Sequence, residues 1–160
     1  VRTITISAPS EVLYQIDFVI RLEMLMDVTI SKTNHSLLSV RMDPDLAVIN
    51  GGTMVNAEGE SGEKATFGKR SDWMDYSGNR MGGTERIAIM QHPSNMWYPA
   101  PWFTRDYGFF SPTPMYWPEN GETTQLVKGQ ILNLRYRVLI HSGDHREADI
   151  KAQYDTYKNE

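Results

Sequence analysis

The stretch IDFVIRLEMLMDVTI, residues 16–30, has an apolar side chain at every even position, and it decides the fold class. The odd positions include Asp17, Arg21 and Glu23. A strand places all the even positions on one face, whereas a helix would scatter them around more than half of its circumference. The stretch therefore predicts a half-buried strand. Because it exceeds the usual strand length, we expect a bulge or a break around residues 24–26.

The same alternation returns at residues 132–140, where Asn133, Arg135 and Arg137 separate the apolar positions, and it predicts a second half-buried strand. Shorter candidate strands, separated by turn signals, lie at residues 3–7, 37–42, 53–56, 72–77 and 86–91. Only residues 144–157 have a helical pattern. We therefore predict a mainly β chain: an antiparallel β-sandwich with a short C-terminal helix, forming a single domain over residues 1–160.

The composition argues against several classes of function. A net charge of −4 and the lack of any run of Lys or Arg argue against a nucleic-acid partner. The chain has no cysteine, which excludes thiolate catalysis and Cys-bound zinc. No apolar stretch approaches the roughly 20 residues that a membrane-spanning helix needs. We expect a soluble protein, and the periplasm and the extracellular space are candidates for a compartment that the sequence does not determine.

Residues 91–118, QHPSNMWYPAPWFTRDYGFFSPTPMYWP, hold nine of the 17 aromatic residues and six of the eight prolines. Each proline removes a backbone donor and fixes φ, so we expect a long, ordered excursion without a regular central strand or helix. Two interpretations stay open. The rings form a lid with a secondary core, or some of them face outward as a platform for a ligand. Rings flanked by Arg105, Asp106 and His92 would suit a sugar, whose C–H face stacks on a ring while its hydroxyls need charged partners.

Several long motifs carry a resemblance to a known family. They are TNHSLLSVRM (33–42), GGTMVNAEGESGEKATFGK (51–69), DWMDYSG (72–78), HPSN (92–95), PAPWFTRDYGFFSPTP (99–114) and LRYRVLIHSGD (134–144). Over residues 16–157 the chain thereby resembles the PmoA-like bacterial family of unknown function, whose members carry the label methane oxygenase PmoA.

The resemblance implies a β-rich domain, common in bacteria that degrade polysaccharides and encoded near carbohydrate-active genes. It implies no catalytic residue. A genuine methane monooxygenase subunit of that name spans the membrane several times, and this chain has no spanning segment, so we do not expect that activity. Family members are generally longer on the N-terminal side, so the chain resembles the C-terminal portion of such a domain.

The catalytic candidates are His35, His92, Arg105, Asp106 and His141, because these side chains can serve as acid, base or charge stabiliser. The histidines fit no standard metal signature such as HExxH, and the sequence predicts no cofactor. A divalent metal ion is the open alternative, if the histidines converge with a carboxylate.

The candidates for ligand binding are the rings of Trp97, Trp102 and Tyr107 and the strand arginines Arg41 and Arg137. A strand arginine is solvated, paired with a carboxylate, or directed at an anionic ligand. The sequence does not choose among these three.

Three functions are consistent with these residues. The leading hypothesis is a carbohydrate-related β-sandwich that binds or processes a sugar or uronic acid. The second is a structural or assembly module, whose aromatic segment is covered by another copy of the chain or by a missing N-terminal half. The third is a metal-dependent lyase, hydrolase or epimerase. The sequence does not decide whether the protein is an enzyme.

Overall fold

The computed structural model describes residues 1–160 and confirms a mainly β chain with antiparallel sheets and a short C-terminal helix. The strands are β1 (Arg2–Ser10), β2 (Leu13–Glu23), β3 (Val28–Ser31), β4 (Val40–Arg41), β5 (Thr53–Asn56), β6 (Trp73–Arg80), β7 (Gly83–Gln91), β8 (Trp102–Arg105), β9 (Phe109–Pro112), β10 (Thr123–Leu126) and β11 (Ile131–His141). The helices are α1 (Glu63–Thr66), α2 (Ile150–Tyr157) and three single-turn 3-10 helices, Pro44–Leu46, Val48–Asn50 and Pro114–Tyr116. None of the helices is long and apolar enough to cross a membrane.

Six strands form the main sheet, in the order β1-β2-β11-β7-β6-β5, and every pair is antiparallel. The two strands with long alternations, β2 and β11, are neighbours along their whole length. Ile16 on β2, Val138 on β11 and Ile89 on β7 lie side by side across the sheet. Because the side-chain period of a strand is two, the even positions of β2 and β11 share one apolar face.

The three-stranded sheet β4-β9-β8 covers this face of the main sheet. Trp102 on β8 and Phe110 on β9 are fully buried and stack with ring centroids 6.3 Å apart. They pack against Met74 and Tyr76 on β6 and against Ile89. Burying one such side chain stabilises the fold by roughly 1.5–3 kcal/mol, so this contact between two unequal sheets is a large part of the core.

Helix α2 covers the opposite face of the main sheet. Its buried side chains are Ile150, Tyr154 and Tyr157, and they pack on Met90 and Leu139 of the central strands. The helix begins after Asp149, whose carboxylate accepts a hydrogen bond from the amide of Ala152. The main sheet is therefore covered on both faces over its central strands.

The predicted break in the first long alternation is confirmed. Strand β2 ends at Glu23 and β3 begins at Val28. Met26, in the gap, is 68% exposed, so the apolar face of the alternation is interrupted where the break was expected. Beyond the gap the chain leaves the main sheet, because β3 pairs with β10 instead.

The C-terminal helix is shorter than the pattern at residues 144–157 predicts. Asp149 has a φ of +46°, in the left-handed region, and this conformation prevents the helix from extending upstream. Before it, the carboxylate of Asp144 accepts hydrogen bonds from the amides of Arg146 and Glu147 and forms a separate turn.

The proline-rich segment forms two short strands, so the expectation of no regular strand there is wrong. Pro101 precedes β8 and Pro112 ends β9, which leaves the inner positions free to donate hydrogen bonds. Gly108 closes the turn between the two strands with a φ of +101°, and a Cβ there would lie 3.2 Å from the carbonyl oxygen of Met42. The segment is thus an ordered hairpin that packs on the main sheet.

Candidate functional site

Arg41 lies at the edge of the small sheet, where its pairing places it beside two rings. It is opposite Phe109 in the β4-β9 pair. Its guanidinium carbon lies 5.5 Å from the centroid of the Tyr107 ring and 5.6 Å from that of Phe109, within the range of cation–π attraction. The side chain is exposed and makes no hydrogen bond or ion pair with any other residue. Its five N–H donors are therefore available to a ligand.

A cavity of about 210 Å³, hereafter the smaller cavity, opens beside Arg41. Its lining residues are Asn34, His35, Ser36, Ser39, Arg41, Phe103, Tyr107 and Phe109. Nδ1 of His35 lies 3.0 Å from the hydroxyl of Thr33, and the Ser36 hydroxyl donates to the carbonyl of Pro112 at 2.7 Å. The amide of Asn34 and the hydroxyl of Ser39 make no such contact. The smaller cavity thus combines aromatic surface with free hydrogen-bonding groups and one cation.

A second cavity of about 390 Å³, hereafter the larger cavity, also has Arg41 in its wall. It lies on the sheet face that β4 and the following 3-10 helix partly cover. Its apolar lining includes Tyr14, Ile87 and Ile140, which lie next to one another on β2, β7 and β11. Arg41 is therefore the residue that the two cavities share.

Arg105 and Asp106 are both engaged with Glu63 of helix α1. Arg105 donates to the Glu63 carboxylate at 2.7 Å, and its guanidinium lies between the rings of Phe67 and Phe103, at 4.5 and 4.3 Å. The Asp106 carboxylate accepts from the Glu63 amide, and its own amide donates back to the Glu63 carboxylate. The two residues fasten α1 to the β8-β9 hairpin, and neither lines the two cavities beside Arg41.

Arg137 has two carboxylate partners, which together form what we call the Arg137 clamp. It donates from Nε and Nη2 to Asp17, at 2.7 and 3.0 Å, and from Nη1 and Nη2 to Glu160, at 3.0 and 2.7 Å. Its guanidinium lies 4.4 Å from the centroid of the Tyr157 ring. Burial would lower the pKa of Arg137, but the bonds to Asp17 and Glu160 outweigh it, so the pKa is raised. The clamp fastens the C-terminal helix to the sheet.

His92 is a hydrogen-bond acceptor next to the clamp. The guanidinium of Arg135 donates to Nε2 of His92 at 2.9 Å. Nδ1 of His92 accepts a hydrogen bond from the backbone amide of Ser94 at 3.1 Å and lies 2.7 Å from the Ser94 hydroxyl. Burial and then the positive charge of Arg135 lower the pKa of His92 below its ordinary value, so the ring is held neutral. Its edge meets the Tyr157 ring, at 5.2 Å between centroids.

His141 forms a buried pair with Asp75. Nε2 of His141 lies 2.6 Å from a carboxylate oxygen of Asp75, and both side chains are almost completely inaccessible. Ala88 lies between their strands, directly opposite both Asp75 and Leu139, and its small side chain leaves room for this diagonal contact. The two side chains are enclosed, and His141 also borders the larger cavity.

The two tryptophans proposed to bind ligand lie in different places. Trp102 has no exposed surface, and its indole N–H donates to the carbonyl of Ser71 at 2.8 Å. Trp97 is half-buried and forms part of the wall of two shallow cavities of about 100 and 200 Å³, apart from Arg41. Trp102 is thus a core residue, and Trp97 does not share a cavity with the other candidates.

The structure brings together three of the candidates, His35, Arg41 and Tyr107, in the smaller cavity. Of the other seven, His141 borders the larger cavity together with Arg41, and the remaining six lie in the clamp, the core or separate contacts. The four histidines share no partner, and no group of three or more His, Asp or Glu side chains is placed to hold a metal ion. Sequence reasoning did not single out Phe109, Ser39 or Tyr14. Phe109 alone had a signal, since it lies in the aromatic segment two residues after Tyr107.

The fold and the cavities define a class: a mainly β protein with antiparallel sheets of six, three and two strands, and with open, partly aromatic cavities along the edge of the three-stranded sheet. Within that class, the chain belongs to the family of unknown function DUF6807, whose model matches residues 1–155. No curated protein and no solved structure matches the chain.

Proposed function

We propose that the protein binds carbohydrate, and that the smaller cavity holds one sugar or uronic acid unit. The observation that carries the proposal is Arg41, an arginine without a carboxylate partner that lies over the rings of Tyr107 and Phe109. The volume of about 210 Å³ is below the roughly 300 Å³ at which sites for drug-sized ligands begin, so it suits a single ring.

The groups around the cavity match the chemistry of an acidic sugar. The C–H face of a sugar ring can pack on the exposed ring of Tyr107, while the hydroxyls bond to Asn34 and Ser39. The planar guanidinium of Arg41 can bind a carboxylate with two parallel hydrogen bonds. A uronic acid is therefore expected to bind more tightly than the corresponding neutral sugar.

The resemblance to PmoA-like proteins of polysaccharide-degrading bacteria supports the same class of ligand, although it stays a prediction. Whether the protein only binds the sugar or also processes it depends on His35, the catalytic candidate that lies in the smaller cavity. Its ring could transfer a proton to or from a bound sugar, because it is exposed and bonded only to Thr33.

Calorimetric titration with glucuronic acid and glucose tests the proposal. We expect saturable binding of glucuronic acid and weaker binding of glucose. Arg41→Met should weaken the binding of glucuronic acid by about tenfold to a hundredfold, since a bond to a charged group contributes roughly 1.5–3 kcal/mol. The matched control is Arg21→Met, which removes an exposed arginine distant from the cavity. Equal affinity of the wild type and Arg41→Met for glucuronic acid would contradict the proposal, and so would no binding at all.

A second candidate function, assembly with another copy of this chain, is favoured by strand β1. All nine residues of this edge strand are exposed, and Ile6 is 70% exposed. In an antiparallel pair of two β1 strands centred on Thr5, Ile4 of one copy would lie opposite Ile6 of the other. The only charged side chain of the strand, Arg2, would lie opposite Ala8, so no like charges would meet. By contrast, most of the aromatic side chains of residues 91–118 pack against other residues of the same chain.

Sedimentation velocity over a range of protein concentrations checks the assembly hypothesis. We expect reversible self-association that Ile6→Lys abolishes, because a charge on an exposed edge strand blocks pairing. A wild-type monomer at every concentration would contradict it. The third reading, a metal-dependent lyase, hydrolase or epimerase, has no specific observation in its favour.

A further inference from the structure

The two cavities that share Arg41 differ in whether they contain carboxylates. In the smaller cavity Arg41 is the only side chain that is always charged, and no carboxylate is present. The larger cavity contains three carboxylates, those of Glu11, Asp43 and Glu85. Carboxylates are therefore present on only one side of Arg41.

Two of these three carboxylates are free. Asp43 lies 3.3 Å from Arg80 and also accepts a hydrogen bond from the amide of Asp45. Glu11 and Glu85 are exposed, and neither makes a hydrogen bond or ion pair within the chain. They are thus available as acceptors for the hydroxyl groups of a ligand.

The other charged residue of the larger cavity, Arg86, does not neutralise it. Side chains alternate along β7, so Arg86 lies on the same side as Ala88, which packs under the C-terminal helix. Glu85 lies on the opposite side with Ile87, facing the cavity. Alternation therefore places the side chains of Glu85 and Arg86 on opposite faces of the sheet, with that of Glu85 on the face of the larger cavity.

The larger cavity also offers a ring for stacking. Tyr14 is 51% exposed and is directly opposite Ile140, so its face forms an apolar wall between β2 and β11. An aromatic face next to two free carboxylates suits an uncharged sugar, because vicinal hydroxyls donate to a carboxylate while the C–H face packs on the ring. A second uronic acid would instead meet like charges.

We infer that the ligand has at least two linked sugar units, with an acidic unit in the smaller cavity and an uncharged unit in the larger one, joined across Arg41. The inference rests on the proposed function and names its substrate class: an acidic heterosaccharide. It excludes a polymer made of uronic acid alone. It also predicts two roles for Glu11 and Glu85. They accept hydrogen bonds from an uncharged sugar unit, and they repel a uronic acid unit in the same position.

Titration calorimetry with three probes tests this inference on the full chain. The probes are glucuronic acid, glucuronic acid linked to xylose, and diglucuronic acid. We expect the mixed disaccharide to bind about tenfold more tightly than glucuronic acid, because it adds contacts in the larger cavity. Diglucuronic acid should bind no more tightly than the monosaccharide. Diglucuronic acid binding as tightly as the mixed disaccharide would overturn the inference, as would equal binding of the mixed disaccharide and glucuronic acid.

Two variants assign the effect to the larger cavity. Glu85→Gln keeps the size of the side chain and removes its charge. Diglucuronic acid should therefore bind to this variant at least about three times more tightly than it binds to the wild type. Tyr14→Ala should weaken the binding of the mixed disaccharide by about tenfold and leave the affinity for glucuronic acid unchanged, since the Tyr14 ring contacts only the second sugar unit. Glu122→Gln, an exposed acid in neither cavity, is the matched control. An effect of Glu122→Gln equal to that of Glu85→Gln would overturn the inference.

The outcomes separate this inference from the function on which it rests. If glucuronic acid binds and Arg41→Met abolishes the binding, the proposed function holds, and the disaccharides alone decide the inference. If none of the three probes binds, both are overturned.

Discussion

Arg41 and Arg137 both lie on strands, and the sequence marks them as equivalent candidates for ligand binding. In the structure they have opposite surroundings. Arg137 donates four hydrogen bonds to Asp17 and Glu160 and is covered by the ring of Tyr157. Arg41 has two rings beside it and no carboxylate. The comparison shows that an arginine is available for recognition when the fold supplies it with aromatic neighbours but no counter-ion.

The difference arises from the elements next to each residue. Asp17 is directly opposite Arg137 in the β2-β11 pair, and Glu160 follows the C-terminal helix that packs on the same face. Arg41 belongs to a strand of two residues whose only partner is β9, and the residue opposite is Phe109. Arg137 thus has one acid on the neighbouring strand β2 and a second at the end of the chain, while the short edge strand of Arg41 has a neighbour that carries rings.

The largest effect is expected from breaking the Arg137 clamp. Arg137→Met keeps the length of the side chain but leaves Asp17 and Glu160 without their cation. Removing one partner of a buried ion pair costs about 3–5 kcal/mol, and because Glu160 is 42% exposed we expect about 2 kcal/mol. For a chain of this size, that lowers Tm by roughly 4–8 °C. Urea and thermal unfolding measure both quantities.

The matched control for the clamp is the same substitution at the other arginine. Arg41→Met removes no ion pair, so the free energy of unfolding should stay within about 0.5 kcal/mol of the wild type. Similar losses of stability in Arg41→Met and Arg137→Met would contradict the comparison, because the ion pairs of Arg137 would then contribute no more to folding than the contacts of Arg41. The same protein sample serves for the glucuronic acid titration, which connects the two measurements.

A smaller effect is expected from the titration of His92 next to the clamp. The pKa of His92 is below 6.5 in the folded chain, because of burial and the nearby charge of Arg135. Between that lowered pKa and 6.5, the unfolded chain binds a proton that the folded chain does not. The free energy of unfolding should therefore fall as the pH decreases through this interval and reach its full value above pH 6.5.

Thermal unfolding of the wild type and His92→Gln at a series of pH values isolates this contribution. Gln can still accept the hydrogen bond from Arg135 through its side-chain oxygen, but it does not titrate. The variant should lose the part of the pH dependence that lies just below pH 6.5. An identical pH dependence in the two proteins would show that the His92 ring is not held neutral by Arg135.

Much of the main sheet could be predicted because its signal is local. The alternations in residues 16–23 and 132–140 correctly gave β2 and β11, and the excessive length of the first alternation correctly gave the break before β3. Patterns of this kind depend only on which side chains must face the core. The helix boundary was less predictable, since the positive φ of Asp149 breaks a pattern whose spacing continues upstream to residue 144.

The candidate site could be predicted only in part. His35, Arg41 and Tyr107 were identified by residue type, and they do meet in one cavity. Trp102 was identified by residue type in the same way as Tyr107, but it lies in the core. The reason is that Trp102 lies on β8, which packs on the main sheet, while Tyr107 lies in the turn before β9. Neither the free carboxylates nor Tyr14 was singled out, since the larger cavity combines a turn, four strands and a 3-10 helix that are distant in the sequence.

The sequence by itself determined that the chain is mainly β, which faces of two long strands are apolar, and which residue types are available for recognition. These properties follow from the spacing of residue types along the chain, because alternate residues of a strand point to opposite faces of the sheet. Only the tertiary structure decided that Arg137 is satisfied and Arg41 is free. The physical reason is that an arginine's role depends on the carboxylates and rings within a few ångströms of it, and these come from segments up to about a hundred residues away.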